Sequence, residues 1–331
     1  MWSDDSAAKA DFSFYPSAVF LQLGFLLAAA YFVIQLLRRQ YEQRQYSRLE
    51  DHSLDPQRKG FCDLSSCIRC NRNEVAIANA RRTFMCELEG EYPRIEQGLL
   101  ESPHDRSHVF YMTLLTPQIP IWAPADILLY PELQLLVETL ETNWPLIHKE
   151  YNRVRKSQEG WKVNCQLSST LTNKAENSEP VWGIFSFLNQ GCWNADNRKL
   201  CPETASLIEN LPCLMDDCAF GYAFFSVIPS GAEIAEHSGP TNVRLRCHLG
   251  IEVPSFSDDE EGDCFMIVGG SCVHWDRGKC VCFDDSFPHS VHYEESAGTM
   301  AENTRAVLLV DFWHPALCQA ERKAIAKMFP S

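Results

Sequence analysis

The polar and apolar positions of this chain fall into three regimes. Residues 17–37, SAVFLQLGFLLAAAYFVIQLL, carry no charge and two Gln, with the aromatic residues Phe14, Tyr15, Tyr31 and Phe32 near the ends. At about 1.5 Å per residue, a helix of that length covers roughly 30 Å, one hydrocarbon core. One transmembrane helix is predicted there. A cleaved signal peptide fits less well, because the run is long and its basic residues follow it. The polar stretch RRQYEQRQYSRLEDHSLDPQRK (38–59) then reads as a juxtamembrane stalk. Helical spacing governs 72–100 and, more strongly, PELQLLVETLETNW (131–144), where Leu133, Val137 and Leu140 share a face. A Ser-, Thr- and Asn-rich loop (167–178) closes this part. From about residue 181 the period becomes that of strands. WGIFSFL, YAFFSVI, AEIAEH, NVRLRCHLGIEV, CFMIVGG, KCVCFDD, SVHYE and RAVLLVDFW follow at short spacings, separated by Gly, Pro, Asp and Ser.

Helix-rich leading segments followed by many short strands predict a mostly β fold with flanking helices. The expected architecture is a double-stranded β-helix, a jelly-roll or cupin-like barrel, preceded by the transmembrane helix. The chain then divides into an N-terminal tail (1–16), an anchor (17–37), a stalk with a Cys-containing segment (38–117) and the barrel domain (118–331). The formal net charge of -15 excludes the broad basic surface that a nucleic-acid partner requires. Fifteen cysteines leave at least one unpaired. Cys62, Cys67 and Cys70 form a C-x4-C-x2-C pattern with Cys86 downstream, open to a metal, to disulfides or to free thiols. Cys280 and Cys282 read as buried strand residues.

The chemistry centres on EHSGPTNVRLRCHLG (236–250). Many mononuclear iron sites complete two histidines with an Asp or Glu, placed two residues after the first. Here Ser238 and Gly239 follow His237 instead. A second histidine, His289, lies in FDDSFPHSVHYE, where Asp284 and Asp285 read as the turn before it. Arg305 opens the apolar strand RAVLLVDFW, and a buried guanidinium there needs an anion. Its planar fork suits a carboxylate. The order His, His, strand Arg is that expected for iron with a dicarboxylate cosubstrate, 2-oxoglutarate. The ordinary alternative for each residue alone is a surface or core position, and the spacing does not choose between them. His292 and His314 read as structural.

HSGPTNVRLRCHLG, WDRGKCVCFDDSFPHSVHYE and RAVLLVDFWHP resemble the signature blocks of the aspartyl/asparaginyl beta-hydroxylase family. The likeness extends through FFSVIPSGAEIAEHSGPTN, more loosely to VWGIFSFLNQG and ETNWPLIHKE, and covers roughly residues 118–320. The anchor and the Cys62/Cys67/Cys70 cluster are most similar to the smaller, aspartate beta-hydroxylase domain-containing members. In that family a glycine replaces the usual carboxylate ligand, which HSG matches, and Gly239 is expected to leave a coordination position open. The resemblance implies that His237 and His289 hold Fe(II), and that Ser226, Arg246, His248 and Arg305 bind 2-oxoglutarate. Arg305 and Ser226 would take the distal carboxylate, and Arg246 and His248 the one nearest the metal. Trp182 aligns with a substrate-side tryptophan.

The activity so implied is that of a membrane-anchored dioxygenase. It converts O2 and 2-oxoglutarate to CO2 and succinate while hydroxylating the beta carbon of Asp or Asn in a protein substrate such as an EGF-like domain. Two other readings stand beside it: a non-catalytic 2-oxoglutarate- or iron-binding sensor, and an oxygenase acting on a small molecule or lipid. Disulfide-linked substrates imply a single-pass protein of the endoplasmic reticulum or secretory pathway, with the C-terminal domain in the lumen. Arg38, Arg39, Arg44 and Arg48 after the anchor favour the cytosolic side instead. No Asn-x-Ser/Thr acceptor occurs.

Overall fold

The computed structural model describes residues 73–88, 91–101, 109–163, 171–173, 182–254, 264–294 and 304–331. Among them no helix is long and apolar enough to cross a membrane, and the run 17–37 lies outside them, as do Cys62, Cys67 and Cys70.

The described helices are α1 (Asn73–Glu87), α2 (Pro93–Glu101), α3 (Pro124–Ile127), α4 (Pro131–Thr142), α5 (Trp144–Ser157), α6 (Ala195–Leu200), α7 (Pro202–Glu209) and α8 (Gln319–Met328). Proline at the first or second turn position opens α3, α4, α5 and α7, where its fixed φ and missing N–H cost nothing. The single helical stretch expected over 72–100 is two helices, the second starting at Pro93. In α4 the buried positions are Leu133, Leu136 and Leu140, and Val137 packs against the same core.

The strands are β1 (Ile121–Trp122), β2 (Lys162–Val163), β3 (Leu171–Asn173), β4 (Gly183–Asn189), β5 (Cys192–Trp193), β6 (Tyr222–Pro229), β7 (Ala232–His237), β8 (Arg244–Glu252), β9 (Cys264–Val268), β10 (Ser271–His274), β11 (Cys280–Phe283), β12 (His289–Tyr293) and β13 (Thr304–Trp313). They form an eight-stranded sheet, β1-β11-β8-β13-β6-β4-β2 with β5 beside β4, and a five-stranded sheet, β10-β9-β12-β7-β3. All these pairs are antiparallel. From β6 to β13 the chain passes back and forth between the sheets, the path of a jelly roll. The hairpin β9–β10 turns through Gly269 and Gly270 with φ of 54° and 83°, a two-residue turn that favours glycine at both places.

Alternation along the large sheet separates two environments. Leu245, Cys247, Leu249, Leu308, Val310, Phe225 and Cys282 point outward into the core formed with α4, α5 and α7. Ser226, Ile228, Arg246, His248, Phe283, Arg305 and Val307 occupy the alternate positions, whose apolar members pack with Met266, Val268 and Val291 of the small sheet. Described residues upstream of 118, from Ala80 to Leu115, contribute to a core of the folded domain. Ala80, Ile95, Leu99, Phe110 and Met112 are buried with Ala324, Ile325, Met328 and Phe329 of the C-terminal segment, so the domain boundary expected at 118 falls inside a core. Buried Cys201, Cys218, Cys247, Cys264 and Cys282 serve as core residues, which accounts for much of the cysteine content by packing.

Candidate active site

His237 ends β7 and His289 begins β12, and the two are opposite each other in the pairing of these strands. Simple alternation would turn His237 away from the interior that Ile234, three residues earlier, faces. A bulge prevents this: Ala235 and Glu236 of β7 stand against Ser290 alone on β12. The imidazoles consequently meet, with ring centroids 4.2 Å apart. Nδ1 of His237 lies 2.9 Å from the carbonyl of Ala235, and Nδ1 of His289 lies 2.9 Å from that of Phe287. A carbonyl only accepts, so each Nδ1 carries the proton and each Nε2 the lone pair, the tautomer required of an Nε2 metal ligand. His289 is pushed down to about 3 by burial and by the neighbouring His237, so it is neutral at physiological pH. His237 is half-buried, whereas His289, Ser226, Arg246, His248 and Arg305 are buried.

Behind the pair lies a closed network of charge. Arg244 donates from Nε and Nη2 to Asp285 at 3.1 and 2.5 Å, and its Nη1 is 3.2 Å from Asp311. Arg246 donates from Nε and Nη2 to Asp311 at 2.8 and 2.9 Å, and its Nη1 is 3.2 Å from Asp285. Two guanidiniums and two carboxylates sum to zero. Burial alone would raise the Asp285 carboxyl, but Arg244 and Arg246 outweigh it and hold it below the usual carboxylate range. Arg246 therefore brings no uncompensated charge to an anion.

Gly239 touches this network. Its N–H donates to the Asp285 carbonyl at 2.6 Å, and a Cβ at Gly239 would lie 2.5 Å from Asp285 Cγ and 2.7 Å from Oδ1. The structure gives glycine here a reason apart from any metal: the space a side chain would need is filled by Asp285. Glycine is required for a close approach.

Arg305 and His248 differ from Arg246. Arg305 is 1% exposed, yet Nε and Nη1 find no acceptor among the described residues. Its guanidinium carbon lies 4.6 Å from the centre of the Trp275 ring, and the Cys264 thiol supplies a side-chain hydrogen bond. Neither neighbour neutralises it, and burial lowers its pKa from the ordinary value. His248 accepts from the Trp275 indole N–H at Nδ1, 3.3 Å away, so its proton is on Nε2, which also has no partner. Burial, then Arg305 and Arg246, hold it far below the ordinary histidine value. Phe283 packs against both groups, with ring centroids 5.7 Å from His289 and 5.0 Å from His248. Ser226 Oγ accepts from the indole of Trp182 at 3.0 Å, so buried Trp182 is seated beside a candidate cosubstrate residue.

Comparison with known proteins bears on the same residues. Residues 141–315 match the family model described as aspartyl/asparaginyl beta-hydroxylase. The chain belongs to that family. It is 33% identical over 288 residues to aspartate beta-hydroxylase domain-containing protein 2 of Xenopus tropicalis, covering 81% of this chain and 70% of that protein. Identity to aspartate beta-hydroxylase domain-containing protein 1 of Homo sapiens is 33% over 196 residues, covering 58% and 45%. To human aspartyl/asparaginyl beta-hydroxylase it is 32% over 206 residues, 62% of this chain but 24% of that one.

Within the matched segment, the family motif residues divide by environment. The structure brings His237 and His289 together, and groups His248 and Arg305 through Trp275. Arg246 is withdrawn into the Asp285–Asp311 network. His292 lies on the outward side of β12, near Ser290 and Glu233, and His314 bonds the Pro117 carbonyl at 3.1 Å. Asp284 builds the turn by accepting from the Ser286 N–H at 2.9 Å, and burial raises its carboxyl to about 7. Sequence reasoning missed Arg244, Asp311 and Trp275. For the first two a signal existed, a second arginine beside Arg246 and a single acid within otherwise apolar strands; Trp275 offered none. Among the described residues, no group of three or more His, Cys, Asp and Glu side chains is arranged to hold a metal.

Proposed function

We propose that the chain is an Fe(II)- and 2-oxoglutarate-dependent dioxygenase that hydroxylates the beta carbon of Asp or Asn in protein substrates. The observation that carries this reading is the orphaned pair of donors. Arg305 Nε and Nη1 and His248 Nε2 are buried without acceptors among the described residues. Each unsatisfied donor costs about 1–3 kcal/mol and a charged one more, which a buried carboxylate ligand would offset. Arg305 is the uncompensated cation, suited to the distal carboxylate, with the Ser226 hydroxyl on the neighbouring strand. The residues therefore fit the dicarboxylate.

They fit the metal as well. His237 and His289 would hold iron through Nε2, both imidazoles being set by their carbonyl partners. Bound iron would supply O2 activation coupled to oxidative decarboxylation of the cosubstrate. The chain's own contribution is orientation and exclusion of water. Phe283 and the indoles of Trp182 and Trp275 belong to one buried apolar cluster beside these residues, and the neutral Arg244–Asp285–Arg246–Asp311 network fixes strand β8 against the turn that carries His289. We further propose that residues 17–37 anchor the protein in a membrane of the secretory pathway with the oxygenase domain in the lumen, where disulfide-linked EGF-like domains are encountered. Succinate formation by the purified full chain, with Fe(II), 2-oxoglutarate and Asp- or Asn-containing EGF-like peptides, tests the activity. Peptide-stimulated succinate and a product heavier by one oxygen are expected; absence of both, with a working control enzyme, refutes the reading.

A further inference from the structure

We propose that Trp275 is a positioning residue for the anion, presenting the donors of His248 and Arg305 to one carboxylate-bearing ligand without neutralising either. The inference rests on the dicarboxylate reading of the cavity and adds a residue that the motif blocks give no role. Trp275 follows β10 on the small sheet, while His248 and Arg305 lie on β8 and β13 of the large sheet, so a single side chain from across the barrel touches both. It is 2% exposed, and its ring lies at 23° to the imidazole of His248.

The chemistry at the two contacts differs. An indole N–H donates and never accepts, so His248 must receive at Nδ1 and carry its own proton on Nε2. That choice turns an ambiguous imidazole into a defined donor, and the donor so defined is buried without a partner among the described residues. At Arg305 the same residue offers its π face. A ring face attracts the cation but occupies none of its N–H groups, and Nε and Nη1 are left for a ligand. A carboxylate in that place would bond the guanidinium and compete with the anion, as Asp311 and Asp285 do at Arg246. The contrast between the two arginines is the main argument. Both are buried, yet one is saturated by aspartates and the other is supported on an aromatic ring.

Trp275→Phe separates the two contacts, since it keeps a ring for Arg305 and deletes the N–H. In the full chain, nitrogen-15 imidazole spectra should show His248 as the Nε2–H tautomer, and Trp275→Phe should shift it toward a mixture. Calorimetric affinity for 2-oxoglutarate, measured anaerobically with Mn(II), should fall about three- to tenfold. The loss should be strongly non-additive with His248→Ala and additive with Ser226→Ala. A protonated Nδ1 on His248 in the parent overturns the inference without any variant. So does unchanged affinity in a folded Trp275→Phe protein, or loss that is additive with His248→Ala. No 2-oxoglutarate binding by the parent, with the Nε2–H tautomer confirmed, instead overturns the reading of the site and removes the inference with it.

Discussion

Replacing Gly239 by alanine adds one methyl group at a place already held by Asp285. The new Cβ would stand 2.5 Å from Asp285 Cγ, against an ordinary contact of 3.4–4 Å, so one of the two must move by about an ångström. Asp285 is poorly placed to yield. Its carboxylate is fixed by Arg244 Nε and Nη2 at 3.1 and 2.5 Å and by Arg246 Nη1 at 3.2 Å, and its carbonyl by Gly239 itself. Overpacking alone costs about 1–3 kcal/mol. Loosening a buried ion pair tends toward the roughly 3–5 kcal/mol seen when one partner is removed. About 3 kcal/mol is therefore expected, which for a domain of this size lowers the melting temperature by about 6–12 °C. Gly239→Asp should cost more, because it adds a second carboxylate beside the first, and it should not tighten metal binding. Differential scanning fluorimetry of the purified parent and variants measures the effect. In an Asp285→Ala background, Gly239→Ala should cost little. A Gly239→Ala protein melting within about 2 °C of the parent, or a Gly239→Asp protein with tightened iron binding, would refute the reasoning.

Arg305→Lys keeps the charge but loses the fork and the stacking plane, so 2-oxoglutarate affinity should fall tenfold or more, about 1.4 kcal/mol, as read by calorimetry; unchanged affinity with a lowered melting temperature would make Arg305 structural. Asp284→Asn keeps an oxygen for the Ser286 N–H while removing a carboxyl that burial raises to about 7. Because the folded value lies above the unfolded one, the parent loses stability as pH rises between them; the gain from Asn should be absent near pH 4 and reach at most about 4 kcal/mol by pH 8, whereas a pH-independent gain contradicts it. Residues 17–37 should keep the chain in the membrane pellet after carbonate extraction. An Asn-x-Thr acceptor introduced among residues 50–59 should be glycosylated if the following domain is lumenal; an unmodified acceptor, beside a modified control, reverses the orientation.

Much of the barrel was legible because its strands are long and apolar enough to override local ambiguity. RAVLLVDFW and NVRLRCHLG read as strands on sight, and they are the central β13 and β8. What escaped was short or determined by distant partners. Ala195–Leu200 and Pro202–Glu209 form two brief helices whose starts rest on Asn194, which caps the first, and on the buried Glu150, which accepts from the Thr204 N–H of the second at 2.8 Å. The latter partner is fifty-four positions away, beyond any local pattern. β10 is exposed along most of its length and carries no hydrophobic alternation. At the site, motif order singles out the histidine pair and Arg305 only together with the family resemblance. The division of labour between Arg246 and Arg305 did not follow, because it depends on Asp311 standing opposite Arg246 in the β8–β13 pairing and on no acceptor among the described residues reaching Arg305 Nε or Nη1. The bulge that turns His237 inward was likewise invisible, since it arises only when β7 meets β12.

The central claim is that two histidines hold a metal whose binding is completed by the anion clamped at Arg305. Anaerobic calorimetry of Fe(II) with the full chain, in the presence and absence of 2-oxoglutarate, tests it most directly. With two imidazoles as the protein ligands, apparent iron affinity should rise by about tenfold or more when 2-oxoglutarate is added, and the cosubstrate should gain by the same factor when iron is added. His237→Ala combined with His289→Ala should abolish iron binding and the coupling while leaving the barrel folded. Equal iron affinity in the parent and the double variant would contradict the account.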